Sequence, residues 1–242
     1  MRKVTGFLLI AGFAFYLFTM FFPLPLSENI NPAEITSVGK DILSTSPDRS
    51  GAANTVTAVV VQYRGFDTLG EVTVLFVSAL GVALLAAGIK DGMLKELFSD
   101  DGGFVLQKGS IALLPFIVLV GLYIVFHGHL SPGGGFPGGV IIATSVFIVI
   151  MTTNKFTVSG SLFSVLETLA GLTFITLGIA GLLGPDASFL ANYLPKGSFG
   201  ALFSAGLIPL LYAVVALKVA SELISIITKL TGASDSPEGG AA

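Results

Sequence analysis

The sequence contains no cysteine among its 242 residues. Disulfide bonds, cysteine-ligated iron–sulfur clusters and thiolate zinc sites are therefore excluded within this chain. Tryptophan is also absent, so an aromatic belt at a membrane surface would have to consist of phenylalanine and tyrosine. Charged residues make up only 11 % of the chain, less than half of their usual share in a soluble domain.

Apolar residues are abundant instead, at 53 % of the chain with a mean hydropathy of +0.90. A bilayer core about 30 Å thick requires about 20 apolar helical residues. We therefore predict an all-α, polytopic integral membrane protein with about six transmembrane helices, at residues 4–22, 68–89, 110–127, 138–153, 161–183 and 199–220. The first segment begins Met-Arg-Lys like a signal peptide but lacks a small-residue cleavage site, so we interpret it as a retained span, with cleavage as the alternative.

Lysine and arginine are distributed unevenly between the two sides of the predicted bilayer. With the N-terminus inside, eight of them lie on the cytoplasmic side and three or four outside, which predicts that both termini are cytoplasmic. A polar stretch divides a two-span part, residues 1–95, from a four-span part, residues 96–230, and residues 231–242 are predicted to form a disordered tail. The net charge is only −3 and no basic cluster is present, so no nucleic-acid partner is expected.

Residues 127–139 join the third and fourth predicted spans and consist largely of helix-breaking residues. Such backbone at membrane depth is tolerated only where protein or water satisfies its polar groups, so we predict a packed connection. Its structural residues are His127, Pro132, Gly133, Gly134, Gly135, Phe136, Gly138 and Gly139. Two histidines without a nearby acid do not predict a metal site. We expect His127 and His129 to pin the loop by hydrogen bonds, with a proton-sharing role as the alternative.

Charged residues inside predicted spans are candidates for function because burying them in lipid is costly. In a helix, Arg64, Asp67 and Glu71 would share one face. A continuous helix over residues 55–88 would measure about 50 Å, too long for one crossing, so we predict a break near Gly65. Glu71 lies a turn deeper than the other two and is the first candidate for a proton or cation path. For Arg64 and Asp67 the alternative is an interfacial pair that anchors the helix.

Two further groups of charges lie in the later spans. Glu167, about two turns from the cytoplasmic end of the fifth predicted span, is interpreted as a relay carboxylate or as a hydrogen-bond partner of a neighbouring helix. Lys218 and Glu222 are four residues apart at the inner end of the last predicted span. There we expect snorkelling of the lysine and a local ion pair.

The segment Gly128-His-Leu-Ser-Pro-Gly-Gly-Gly-Phe136, followed by Gly138-Gly139, resembles the signature of the B subunit of Mrp-type multisubunit sodium/proton antiporters. This resemblance covers roughly residues 108–230. The segment Arg64-Gly-Phe-Asp-Thr-Leu-Gly-Glu71 resembles the C-terminal end of the A subunit over roughly residues 55–90. Related modules occur in membrane-bound hydrogenases and sulfur-reducing complexes. Pro137 departs from the B-type pattern, in which many relatives carry a polar residue.

The resemblance implies a non-enzymatic subunit of a cation (Na⁺)/proton antiporter module in the plasma membrane of a prokaryote. Its partners would be other subunits of the complex, sodium ions, protons and the bilayer, and no cofactor is expected on this chain. Glu71 matches the acid of the family's ion-path region, with Asp67 near it, and Glu167 and His129 are further candidates. The alternative is a purely structural assembly subunit of a complex I-like membrane-bound hydrogenase or sulfur-reducing complex.

Overall fold

The computed structural model describes residues 11–12, 14–16, 18, 32–87, 103–153, 156, 158–184 and 188–231. They belong to two compact units, residues 1–44 and 45–242. The described residues of the first unit are helical. Most of the predicted span 4–22, the predicted boundary between residues 95 and 96, and the predicted tail after Thr231 lie outside the described residues.

The described part of the chain is built from helices. They are α1 (Pro32–Ser50), α2 (Thr55–Ala58), a π-helical turn (Val59–Tyr63), α3 (Gly65–Ala87), α4 (Gly103–His127), α5 (Gly135–Thr152), α6 (Gly160–Leu182) and α7 (Ile208–Thr231). Helices α3 to α7 are long and apolar enough to cross a membrane. The predicted all-α, polytopic membrane fold is confirmed, with five spans among the described residues. Helices α4 and α5 begin earlier than the predicted starts at residues 110 and 138.

The predicted break before the second span is present at Gly65. The π-helical turn Val59–Tyr63 ends at Arg64, whose backbone leaves the helical region (φ −125°, ψ 41°), and α3 begins with the next residue. A Cβ added to Gly65 would lie 3.1 Å from the carbonyl oxygen of Phe189, tighter than most real contacts. Glycine therefore allows the loop before α7 to pack closely against the start of α3.

Helix α7 is the centre of the bundle, because α3, α4, α5 and α6 all pack against it. About 67 % of its apolar stretch is buried within the chain, against 11 % for α3. Between helices in lipid there is no hydrophobic driving force, so association depends on close packing and on polar contacts. Helix α7 accordingly buries the small hydroxyl residues Ser221, Ser225 and Thr228.

Glycines bring α4, α5 and α7 together at backbone distance. A Cβ added to Gly139 would lie 2.8 Å from a backbone carbonyl oxygen of α7, and one added to Gly135 would lie 2.9 Å from Cβ of Val215. A Cβ added to Gly138 would lie 2.8 Å from the carbonyl oxygen of Gly121 on α4. Because real Cβ atoms do not approach so closely, these glycines set the spacing of three helices.

The prediction that the last span covers residues 199–220 is wrong, because the helix there is α7, Ile208–Thr231. The chain before α7 turns repeatedly, with positive φ at Gly197, Gly200, Ala205 and Gly206. The side-chain oxygen of Asn192 accepts the N–H of Leu207 at 2.9 Å and satisfies the start of the helix. Hydropathy does not separate an apolar turn region from a span. The observed bounds of α7 therefore place Lys218 near the middle of a span, whereas the predicted bounds placed it at the end.

Candidate functional site

The glycine-rich loop between α4 and α5 is held by side chains at the start of α2. The carbonyl oxygen of Gly128 accepts hydrogen bonds from Nδ2 of Asn54 (3.1 Å) and Oγ1 of Thr57 (2.5 Å). Asn54 also donates from Nδ2 to the carbonyl oxygen of Ser131 (2.9 Å) and from its N–H to that of His129 (3.0 Å). Asn54 is not among the predicted site residues, although an asparagine before Thr-Val-Thr is typical of a helix N-cap, and it does cap α2.

The ring of Tyr212 on α7 packs against the inside of this loop. A Cβ added to Gly128 would lie 2.6 Å from Cε2 of Tyr212, and one added to Gly134 would lie 3.1 Å from its Cζ. Gly134 precedes α5 with a φ of +137°, which residues with a side chain rarely adopt. The loop is thus a packed connection, and glycine is required there because the ring leaves no space.

The two histidines of the loop differ in environment. His129 is fully buried, and its Nε2 lies 3.3 Å from the carbonyl oxygen of Ala201, so Nε2 carries the proton. Its Nδ1 has no partner among the described residues. Burial lowers the pKa of His129 from its usual value; the hydrogen bond to Ala201 opposes this shift, and the charge of His127 adds to it. His127 is half-buried and stacks on Tyr123, with ring centroids 4.0 Å apart.

A cavity of about 340 Å³ lies between α3 and the glycine-rich loop, and we call it the Glu71 cavity. Among the described residues that line it, Glu71 alone is charged. Thr57, Thr68 and Tyr212 add hydroxyl groups and Asn54 adds an amide to a wall that is apolar elsewhere. The loop motif contributes Pro132, Gly133, Gly134, Gly135 and Phe136. The structure therefore brings Glu71 and most of the motif to one cavity, although about 60 residues separate them in sequence.

Asp67, the second predicted candidate, is placed differently from Glu71. Its carboxylate pairs with the guanidinium of Arg64, with Oδ2 and Nη2 2.5 Å apart, and both side chains are exposed. The pair lies at the start of α3, where an acid also interacts favourably with the helix dipole. Asp67 is not among the residues that line the Glu71 cavity. The expected pair between Arg64 and Asp67 is thus present.

Glu167, Lys218 and Glu222 form a buried cluster that we call the acid–lysine triad. Nζ of Lys218 on α7 donates to Oε2 of Glu222 (2.8 Å), one turn further along the same helix, and to Oε1 of Glu167 on α6 (3.1 Å). The side chains of Lys218 and Glu222 are 7 % and 1 % exposed, and that of Glu167 is 18 % exposed. Nζ also lies 5.1 Å from the ring centroid of Phe76 on α3, a cation–π contact.

The prediction that Lys218 snorkels at the end of a span is wrong. Lys218 lies ten residues after the start of α7 and thirteen before its end, about 15 Å and 20 Å along the helix axis. Its amine therefore remains inside the bundle, where two carboxylates compensate its charge. The local pair with Glu222 is present as predicted, but Glu167 also contacts the amine.

The carboxylates and histidines of the described residues do not combine into a metal centre. Within the described ranges, no group of three or more histidine, aspartate or glutamate residues could hold a metal ion. Charged and polar groups are arranged instead at two depths of the bundle, around the Glu71 cavity and around the acid–lysine triad.

Comparison with known families identifies the class to which this arrangement belongs. Residues 105–225 match the model of a domain related to the MnhB subunit of Na⁺/H⁺ antiporter, and residues 25–89 match the model of MbhE, the E-type subunit of MBH. The first match covers half of the chain. The chain belongs to the MnhB-related family, and the predicted resemblance to the antiporter B subunit is confirmed.

Individual proteins agree with this assignment. An uncharacterised protein of Methanocaldococcus jannaschii is 31 % identical over 197 residues, which are 70 % of this chain and 74 % of that protein. A chain of the membrane-bound sulfane sulfur reductase, an archaeal respiratory membrane complex, is 36 % identical with a TM-score of 0.70, over 94 % of this chain and 97 % of that one. A chain of the Mrp complex from Dietzia sp. shares the fold (TM-score 0.65, 24 % identity), over 98 % of this chain and 27 % of that one.

Proposed function

We propose that this chain is a non-catalytic membrane subunit of a multisubunit cation/proton antiporter module, in which Glu71 contacts the transported cation or proton. The observation that carries the proposal is the position of Glu71 in a cavity of about 340 Å³ walled by the glycine-rich loop. The family, whose model is described as related to the MnhB subunit of Na⁺/H⁺ antiporter, supplies the context of antiport.

The exposure of Glu71 supports a role in an assembly. The side chain lies on an apolar helix that the rest of the chain covers only slightly. A carboxylate in a bilayer requires water, a cation or a polar partner. We infer that sister subunits cover this face of α3, so that the Glu71 cavity becomes an enclosed space between subunits. Sodium ions and protons are its proposed occupants.

The proposal is tested by exchanging single acids of α3 in the complete complex. Glu71→Gln removes the charge at nearly constant volume, and Glu71→Asp keeps it. Asp67→Asn is the matched control, because Asp67 lies one turn away and outside the cavity. We expect sodium-driven proton exchange in inverted vesicles to fall at least about tenfold for Glu71→Gln, equivalent to about 1.4 kcal/mol, and to persist in the other two variants. A fully assembled Glu71→Gln complex with undiminished exchange would contradict the proposal.

A second candidate function is a purely structural subunit of a redox-driven membrane complex. The 36 % identity to a chain of the sulfane sulfur reductase complex, over nearly the whole of both chains, favours it. In this case Glu71 would only pair with a neighbouring subunit. Affinity purification of the tagged chain separates the two: redox subunits would copurify with it, and Glu71→Gln would reduce their recovery without changing cation transport in the remaining complex.

We also propose that both termini face the cytoplasm, because lysine and arginine are concentrated on that side of the predicted topology. A fluorescent protein that matures only in the cytoplasm, fused to the C-terminus, checks this orientation. Bright cells are expected, whereas activity of a periplasmic reporter at the same position would contradict it. With this orientation the C-terminal end of α7 is cytoplasmic.

A further inference from the structure

A second, smaller cavity of about 80 Å³ lies beside the acid–lysine triad, between α3, α6 and α7. Glu222 lines it and is 1 % exposed. One oxygen of this carboxyl group, Oε2, accepts the hydrogen bond from Lys218, but the other, Oε1, has no protein partner among the described residues. A buried carboxylate oxygen without a partner is costly, so a ligand that satisfies it is expected in the adjoining space.

The charges of the acid–lysine triad do not balance among themselves. Glu167 and Glu222 carry two negative charges when ionised, and Lys218 carries one positive charge, so the triad has a net charge of −1. Of the other residues that line the cavity, those of α3 are apolar, and Lys229 of α7 carries the one further positive charge. Lys229 is exposed, so solvent screens its charge, and α5 contains no ionisable residue.

The cavity leads from the triad towards one end of the bundle. Its wall includes Ser225 and Lys229 on α7, one and two turns after Glu222. Lys229 is exposed and lies in the last turn of that helix. A space of about 80 Å³ accommodates several water molecules, and a wall with carboxylate and hydroxyl groups is polar enough to hold them. Water in it would connect Glu222 with the membrane surface at the C-terminal end of α7.

We propose that the acid–lysine triad is a proton-binding site, filled through this cavity from the C-terminal end of α7. A hydronium ion in the cavity gives its proton to Oε1 of Glu222 and becomes water, and an O–H bond forms on that oxygen. The net charge of the triad changes from −1 to zero. Lys218 remains an ammonium ion between Glu167 and Glu222, and cavity water accepts the hydrogen bond of the new carboxylic acid.

This site is separate from the Glu71 cavity. Tyr212, which lines the Glu71 cavity, and Glu222, which lines the small one, are ten residues apart on α7, about 15 Å along its axis. The inference does not rest on the proposed antiport function, because proton binding and water access are measurable without transport. Failure of either proposal is therefore recognised independently of the other.

Infrared difference spectroscopy of the complete complex in membranes tests proton binding. Spectra at low pH minus high pH should contain the carbonyl stretch of a buried carboxylic acid, shifted in heavy water. We expect this band to disappear in Glu222→Gln, which lacks the acid. The band should also disappear in Glu167→Gln. In that variant the charges of Glu222 and Lys218 cancel, so Glu222 stays ionised. Asp67→Asn should retain it. A Glu222→Gln spectrum that superimposes on the wild-type spectrum would overturn the proposal.

Thiol labelling tests the route of water and does not alter the triad. Because the chain has no cysteine, Ser225→Cys introduces its one thiol, and Ser221→Cys on the same helix is the matched control. Both serines are almost fully buried, but Ser225 lines the small cavity and Ser221 is not among its lining residues. With a small cationic methanethiosulfonate applied from the side of the α7 C-terminus, Ser225→Cys should react at least about tenfold faster, since only the hydrated thiol ionises. Equal rates, or no reaction, would overturn the proposed water route.

Discussion

Helices α3 and α7 have nearly the same length and are both apolar enough to cross a bilayer, but they have opposite environments. Helix α7 packs against four neighbours within the chain and buries Lys218, Glu222 and most of its hydroxyl residues. Helix α3 presents large apolar side chains outwards, among them Phe66, Val74, Val77, Leu84 and Leu85. Apolar composition thus identifies a span but not its neighbours. In lipid, an exposed valine is ordinary, whereas Glu71 on the same exposed helix requires a partner.

Removing the amine of α7 should produce the largest effect. Lys218→Met leaves the carboxylates of Glu167 and Glu222 buried without a compensating charge, which costs about 3–5 kcal/mol. We expect little assembled complex and a strongly lowered melting temperature in detergent. Lys229→Met, at an exposed position of the same helix, is the control and should be nearly neutral. Normal melting of Lys218→Met would show that the triad does not stabilise α7.

Removing all three charges of the triad shows whether uncompensated charge or lost packing causes the instability of Lys218→Met. In the triple variant Lys218→Met, Glu167→Gln and Glu222→Gln, no charge remains in the cluster. Replacement of a complete buried ion cluster is often neutral for stability, so the triple variant should melt well above Lys218→Met alone. If it melts as low as the single variant, lost packing of the lysine stem, and not uncompensated charge, explains the defect.

Glycine-to-alanine substitutions show how closely neighbouring helices approach α7 and α3. Gly135→Ala places a Cβ 2.9 Å from Val215 of α7 and should destabilise the bundle by about 1–3 kcal/mol. Gly70→Ala on α3 has open space around it within the chain and should stabilise the helix by up to about 1 kcal/mol. The measurement is thermal unfolding of the purified complex. If Gly70→Ala instead lowers the recovery of sister subunits, a partner lies against α3 at that point.

Identical valine truncations should have a smaller effect. Val219→Ala on α7 removes methyl groups from a fully buried position and should cost about 1–2 kcal/mol through lost packing. Val77→Ala on α3, about 120° around the helix from Glu71, is 59 % exposed within the chain, and we expect almost no change in melting if lipid covers it. Equal losses at the two positions would remove the distinction between the helices.

The smallest expected effect is a pH dependence from His129 in the glycine-rich loop, which lies between the two helices in sequence. Burial lowers the pKa of His129, so the unfolded chain binds its proton more readily than the folded chain. The stability contributed by neutral His129 is therefore present above about pH 6.5 and decreases as the pH falls below that value. Melting temperatures between about pH 8 and pH 5 should fall less for His129→Gln than for the wild type, whereas His127→Gln, which removes only the smallest cause of the lowered pKa of His129, should stay close to the wild type.

Several features of the fold were predictable because local physics determines them. The break at Gly65 followed from the length of the apolar stretch, and the packed loop followed from the need to satisfy glycine-rich backbone at membrane depth. The pairing of Arg64 with Asp67 followed from helical spacing. In each case the relevant contacts lie close together in sequence or are dictated by the bilayer.

The acid–lysine triad was not predictable in the same way. Its recognition required the correct position of α7, which depends on the turns at Gly197, Gly200 and Gly206 and on the hydrogen bond from Leu207 to Asn192. It also required that α6 and α7 be neighbours, so that Glu167 reaches Lys218 across 51 residues. The Glu71 cavity likewise depends on the packing of α3 beside a distant loop. Tertiary contacts of this kind leave no periodic pattern in one sequence.

The π-helical turn Val59–Tyr63 makes the length of this segment as important as its composition. A π-turn holds one residue more than an α-helical turn, so winding the same residues as a regular α-helix would shift the register by one residue. The preceding segment would then rotate by about 100° about the helix axis relative to α3. Asn54 and Thr57 would turn away from the carbonyl oxygen of Gly128, and the glycine-rich loop would lose its donors. The extra residue of the π-helical turn therefore sets the register of the whole connection.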